Sequence, residues 1–431
     1  MADPTSSPAQ AAEFFDPESR QFTAEARPDR VPVPTLDGQL VIDDASLTAA
    51  GDDFGHLVHR RPSAVLLPGS AADVAVFSRF ASDRAIPLVP RGQGHSTAGQ
   101  AQTGGVVVDM SPLNEVHHIN SDSVVVDAGA RWSQVLAATI PHGLTPPVLT
   151  DYLELSVGGT LSVGGIGGAS HHHGAQTDNV LALDVITPDG TTHACSPGSD
   201  LYSAVLAGRG RQGIIVGATL RLIPAPRRAR TYRLHYAALG SFLTDQRQVM
   251  SQRRFDHLVG QAKLDPEGDW SYVINATTYS TPPSEPDTDI LLTGLSGDLG
   301  EQVDRDYPAF LDQMADDVST LQRLRLWSHS HPWLNLLIPD DSVEEFVATA
   351  LGAITRQDLG DAGVVLLYPV PTSAFTTPRL RMPNSPTAFL FALLRAVAQD
   401  EHDTLRRMTD HNDALTRMVT RAGGTSYLSP L

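Results

Sequence analysis

A histidine set in a glycine loop, Pro90-Arg91-Gly92-Gln93-Gly94-His95-Ser96, combines residue types and spacing that suggest chemistry. Glycines on either side of one residue let successive backbone N–H groups converge, making a concave anion site suited to a pyrophosphate. A tight surface turn uses the same residues, so the loop alone leaves both readings open. His95 taken by itself is equally open between a chemical and a structural role. Farther on, residues 158–168 hold six glycines interleaved with Leu161, Val163 and Ile166, more than a helix interior tolerates. Bare backbone of this kind admits a flat ring or a phosphate, and a flexible linker would not carry those apolar residues, so a cofactor wall is expected. Asp151, in Leu149-Thr150-Asp151-Tyr152, stands at its entrance as a turn-former or as an acid/base.

Two other motifs are set aside on context. Gly208-Arg209-Gly210-Arg211-Gln212-Gly213 matches the dinucleotide fingerprint letter for letter, but a helix pattern (200–207) precedes it and a strand pattern (214–223) follows, the reverse of what that motif needs. His171, His172 and His173 are adjacent, so their side chains diverge, and no carboxylate follows at helical spacing; no metal site is expected. No serine-nucleophile elbow, Walker loop or zinc-protease helix is present.

The elements that must position these residues read as α+β. A short apolar strand (64–67), the turn Pro68-Gly69 and a helix start at Ser70 with Asp73 are followed by Val74, Phe77 and Ala81 at helical spacing. Strands are expected at 86–89, 106–110 and 124–128, and a helix at 132–138. Pro224-Ala225-Pro226, followed by Arg227 and Arg228, marks a domain boundary. Beyond it glycine density drops, and Asp341 with Glu344 predicts a capping box leading into Val343, Phe346, Val347, Ala350, Leu351 and Ile354. The expected division is an N-terminal arm over 1–54, a first domain over 55–228, a second over 229–404 and a C-terminal segment over 405–431. Residues 1–35 lack periodicity and read as a loose arm or a wrapping segment.

The 431 residues are 41% apolar and 19% charged, enough for two hydrophobic cores. A formal charge of −18 argues against nucleic acid or an acidic membrane surface as partner. One cysteine, Cys195, leaves no internal disulfide, and the polar N-terminus lacks signal-peptide features, so a cytoplasmic location is expected.

Taken together, the blocks resemble FAD-linked oxidases of the vanillyl-alcohol-oxidase type, and specifically the cytokinin dehydrogenase family. Arg91 to Ser96 with Gly99-Gln100-Ala101 is similar to that family's flavin-attachment loop, and Asp151-Tyr152-Leu153 through Val157 to Ser162 to its most distinctive segment. His173-Gly174 with Gln176 and Asn179-Val180, Gly210 to Ile215 with Ala225-Pro226, His331-Pro332-Trp333-Leu334-Asn335-Leu336 with Pro339, and Leu367-Tyr368-Pro369 extend the likeness over about residues 60–430. The resemblance implies a two-domain FAD-binding fold of the PCMH type, with 55–228 binding FAD and 229–404 forming a substrate domain of antiparallel sheet plus helices. Residues 405–431 would return to the FAD domain.

It further implies FAD bound covalently through His95, and flavin contacts from Gly92, Gln93, Gly94, Ser96, Gln100, Ser156, Ser162, Ile166, Ile215 and Tyr427. Asp151 would be the catalytic acid/base, and Trp333 would help shape the substrate cavity. The implied reaction oxidises a C–H bond next to an amine, with N6-isoprenoid adenines as the substrate class and oxygen or a quinone as electron acceptor. Two departures stand out: Val259 occupies the place of a family glutamate, and the chain stops at Ser429-Pro430-Leu431 where the family continues through a segment that returns to the flavin. Part of the flavin's cover is therefore expected to be absent or replaced. A tailoring oxidase of a secondary metabolite on the same scaffold, or a redox-silent flavin-binding protein, are the alternatives.

Overall fold

The strand Leu88–Arg91 ends where the glycine loop begins, and the structure, a computed structural model, describes this together with the rest of residues 10–360 and 362–428. Leu88–Arg91 and Ala64–Leu67 flank Val106–Asp109 in parallel, with Gln39–Val41 added antiparallel at the edge. The helix Ala71–Asp83 covers this sheet and buries Val74, Phe77 and Ala81, as their spacing requires. A five-stranded antiparallel sheet completes the first domain in the order Thr192–Cys195, Val180–Ile186, Ile214–Arg221, Ser123–Asp127, Val116–Ile119. Both sheets share one core.

The second domain is an eight-stranded antiparallel sheet. Its central strands, Trp270–Ser280, His257–Leu264, Val364–Pro371 and Thr387–Leu394, are buried in near-continuous runs, as in a sheet covered on both faces. Leu258 and Ala262 join a core with the helices Leu239–Ser251, Val343–Gly352 and His402–Arg421, while Val259 joins Tyr368, Val370, Leu390 and, from the first domain, Ile166. The two domains therefore meet across an apolar seam. Among the described residues, no helix is long and apolar enough to cross a membrane.

Several expectations are corrected. Of the two readings of the N-terminal segment, the wrapping one fits and the loose one does not: Phe14–Asp16, Gln21–Thr23 and Val31–Pro32 form a small sheet that inserts Phe15 and Phe22 beside Phe80 and Phe77, at ring distances of 6.4 and 6.2 Å. Strands of two or three residues have no period to read. The glycine stretch does contain a helix, Val157–Leu161, and glycine stands at 158 because a Cβ there would sit 2.8 Å from the Ala128 methyl. Asp73 does not cap the helix that starts after Ser70 alone; its carboxylate gathers the N–H groups of Asp37, Gly38 and Gly69, tying the arm to the helix start. The capping box at Asp341 is absent, since a 3-10 turn over Asp340–Ser342 precedes the helix and moves its cap to Ser342. The strand expected at 86–89 begins at Leu88, after Pro87. The chain end at Ser429-Pro430-Leu431 lies outside the described residues.

Candidate functional site

The loop that follows Leu88–Arg91 is held by a buried carboxylate. Asp53, 3% exposed, accepts from the Ser96 hydroxyl at 2.9 Å and from the N–H groups of Gly99 and Gly55 at 2.7 and 3.1 Å. Burial raises its pKa against these bonds, which lower it. The Phe54 and Gly55 N–H groups donate to the carbonyls of Gly94 and Ser96, so segment 53–55 is stitched along the loop. Gly94 takes a φ of 66°, and a Cβ there would fall 2.2 Å from the Arg91 guanidinium, which itself donates to the Asp52 carbonyl at 2.6 Å. Glycine is required at that position.

His95 projects from this loop into a box of aromatic rings. Phe54 stacks on it at 4.0 Å, Tyr152 lies at 5.0 Å, and Trp327 and Trp333 each lie at 5.8 Å. Burial pulls the imidazole pKa down to about 4, and its Nε2 has no hydrogen-bond partner among the described residues. A neutral imidazole nitrogen without a partner is chemically available. Phe54 is fixed from behind by His331, which stacks on its other face at 4.0 Å and whose Nδ1–H donates to the Phe54 carbonyl at 2.9 Å. An open cleft of about 1060 Å³ borders His95, Tyr152, Trp327, Gln93 and Gly94.

Asp151, one residue from Tyr152, borders a different cavity. This one is small and is shared with His257, Tyr279 and Tyr307. Burial raises the carboxyl pKa, and Asp151 in turn helps burial hold the Tyr279 and Tyr368 phenols above their usual range. Tyr368 belongs to the seam that holds Val259 and Ile166, so these residues lie in the neighbourhood of Asp151. Val259 is 7% exposed within that seam. Its neighbour Asp256 is committed elsewhere, accepting from the Tyr279 N–H at 2.6 Å and the Thr278 hydroxyl at 3.2 Å.

The glycine-rich stretch, expected as a cofactor wall, is packed closely against the protein itself. A Cβ on Gly165 would meet Gln176 at 2.1 Å, one on Gly167 the Leu149 carbonyl at 2.0 Å, and one on Gly168 the His257 ring at 2.2 Å. These glycines let the protein pack against itself, whereas Gly159 is exposed. Gly92 meets Ser156 directly, since a Cβ would fall 1.9 Å from the serine Oγ, and this brings the two glycine segments together. Ser162 donates its hydroxyl to the Gly158 carbonyl at 2.7 Å. The Tyr427 hydroxyl accepts from the Gly165 N–H at 2.8 Å, and exposed Gln100 donates to the Leu428 carbonyl at 3.2 Å, linking both to the chain's end. Ile215 belongs to the first domain's core and not to the seam.

The His171 and His172 rings both turn toward the Phe255 carbonyl, at 2.9 and 2.7 Å. Among the described residues, no group of three or more His, Cys, Asp or Glu is arranged to hold a metal. Asp53, Phe54 and His257 carry no local signal in the sequence. His331 was within reach, since it stands two residues before Trp333 in a segment already singled out.

Comparison with known proteins gives the family of the chain. The FAD binding domain family matches residues 62–196, and the family described as cytokinin dehydrogenase 1, FAD and cytokinin binding, matches residues 271–429. An uncharacterised oxidoreductase of the fasciation locus of Rhodococcoides fascians is 44% identical over 390 residues, covering 89% of this chain and 88% of that protein. Cytokinin dehydrogenase 7 of Oryza sativa subsp. japonica is 36% identical over 409 residues, covering 84% and 78%. Cytokinin dehydrogenase 4 of Arabidopsis thaliana is 31% identical over 442 residues, covering 90% and 84%. The residues present fit the cofactor these names imply: a glycine loop beside an uncharged, half-buried imidazole whose buried Nε2 has no described partner. The chain belongs to the cytokinin dehydrogenase family of FAD-dependent oxidoreductases, and FAD is its cofactor.

Proposed function

We propose that this protein oxidises the C–H bond beside the nitrogen of a small secondary amine, of the N6-isoprenoid adenine class or a close relative, with FAD joined to His95 and Asp151 acting as acid/base. The observation that carries the proposal is a half-buried carboxyl of raised pKa, Asp151, one residue from a tyrosine packed on His95. When bound, FAD supplies the two-electron acceptor for the C–H bond. The Gly92–Ser96 loop with Ser156 holds the cofactor, and the Phe54 stack keeps His95 at its anchoring position. Asp151 accepts the proton of the substrate's N–H, so the nitrogen lone pair can form the C=N bond as hydride leaves the neighbouring carbon. Water then cleaves the imine to an amine and an aldehyde. The electrons pass on to oxygen or a quinone.

Support for covalent attachment comes from the neutral, half-buried His95 imidazole, whose Nε2 is buried and has no described partner. Val259 favours a second reading within the same chemistry, a tailoring oxidase acting on a more apolar amine, because the seam offers valine where a carboxylate would bind an adenine N–H. A cytoplasmic location accords with the single cysteine, buried in Thr192–Cys195. The test is an anaerobic absorption spectrum of the purified protein before and after isopentenyladenine or simpler allylic amines. Bleaching of the flavin by one of these amines is the expected result; a flavin that none of them reduces contradicts the proposal.

A further inference from the structure

Asp151 and His257 border one small, partly open cavity of about 20 Å³, whose polar lining also includes Thr150, Tyr279, Tyr307 and Gln313. A water needs about 10–15 Å³ of such space and two to four polar partners, so this cavity takes one. His257 opens the strand His257–Leu264 and is 8% exposed. Its ring stands edge-on to Phe310 at 5.1 Å and lies against Gly168, where a Cβ would fall 2.3 Å from Nε2. The Leu258 N–H donates to the Gly168 carbonyl at 2.9 Å, fixing that register. The ring therefore cannot swing away, and among the described residues neither it nor the Asp151 carboxylate has a hydrogen-bond partner.

We infer that one water in this cavity joins His257 to Asp151, and that His257 is thereby a positioning residue for the acid/base. The water donates one proton to the carboxylate and the other to an imidazole nitrogen; only hydrogen bonds form. Such a bond stabilises the charged carboxylate and opposes the effect of burial. The other groups facing the pair are Tyr279 from Trp270–Ser280, Tyr307 from Tyr307–Leu311, Tyr368 from Val364–Pro371 and His171 from Ser170–His173, with Asp256 acting on Tyr279 and Tyr307. Burial pushes Tyr307 up to about 12 and His171 down to about 4, and it raises Tyr279 and Tyr368. All four are uncharged near neutrality, so the water's effect falls on Asp151.

The inference rests on Asp151 being the acid/base, and its test separates the two. In the full chain, an infrared carboxyl band that is lost in Asp151→Asn reports the Asp151 titration with no substrate present. His257→Phe keeps the ring on Phe310 and removes the water's acceptor; the band's midpoint should rise by about one pH unit, and the acid limb of flavin reduction should follow. His257→Gln, with a polar end, should restore at least half of that shift. An unmoved midpoint in His257→Phe overturns the inference, as does a shift that Gln leaves untouched, and as does a crystal structure with no water between the two residues. Failure of the acid/base reading shows differently, as a rate limb indifferent to Asp151→Asn.

Discussion

The His95 imidazole and the Phe54 ring lie face to face, centroids 4.0 Å apart and planes 17° from parallel. The other face of Phe54 carries His331 in the same way, at 4.0 Å and 19°, so the proposed flavin anchor is the outer layer of a three-ring stack. The stack spans the domains, because His331 comes from the segment that leads into the strand Leu334–Pro339.

Phe54→Leu keeps an apolar group of similar volume and removes both stacking faces. Each aromatic pair contributes about 0.5–1.5 kcal/mol beyond burial, so a stability loss of about 1–3 kcal/mol is expected. His95 should also sample other rotamers, and the fraction of chain that stays yellow after denaturation should fall. Denaturing electrophoresis with fluorescence scanning measures it. Retention equal to the parent's would show that the stack does not position His95.

Acid should destabilise the fold through its buried histidines. Burial pulls His171 and His331 down to about 4 and His257 to about 3, each from an ordinary value of 6.5. Between about pH 4 and 6.5 the unfolded chain then binds more protons than the folded one, so stability is present above 6.5 and is lost as pH falls. Each group contributes at most about 1.4 kcal/mol per pH unit in that window. His172, His173 and His411, also lowered by burial, act in the same direction, and the raised carboxyls Asp53, Asp151 and Asp312 act with the opposite sign, three against six. His95 is left out because its nitrogen is the proposed anchor. The melting temperature of the flavin-loaded protein should fall by at least ~2 °C per pH unit below 6.5. A flat profile would show that these imidazoles gain protons without unfolding.

The parts of this molecule that were legible in the sequence are those with a local signal. Ala64–Leu67, the Pro68-Gly69 turn and the periodic Val74, Phe77 and Ala81 announce a strand and helix, and the structure contains both. The glycines around His95 and after Asp151 mark segments where backbone comes close to something else. What stayed hidden acts through space. His331 reaches the Phe54 carbonyl across 277 positions, and Asp53 meets Gly99 across 46. Phe15 and Phe22 dock singly, from strands too short to have a period. Gly168 reads as one more glycine of a wall until the His257 ring is seen against it.

Val259 separates the two readings of the substrate. A charged acceptor toward an adenine N–H contributes about 1.5–3 kcal/mol, which corresponds to roughly a ten- to hundredfold gain in discrimination. Val259→Glu should therefore speed flavin reduction by isopentenyladenine relative to an apolar allylic amine. Rapid-mixing traces of both variants measure the ratio. Strong parent activity that the substitution leaves unchanged or lowers would establish that the valine costs adenine recognition nothing.

The role of Asp151 is decided by anaerobic stopped-flow reduction of the flavin in Asp151→Asn, using an amine that reduces the parent. Asparagine keeps the shape of the side chain and removes its capacity to take a proton, a role worth about 10²–10⁴ in rate. The expected result is an unchanged spectrum of bound flavin with reduction slowed at least ~100-fold. Reduction at the parent's rate would contradict it and leave Asp151 as a residue of the loop before the helix Val157–Leu161.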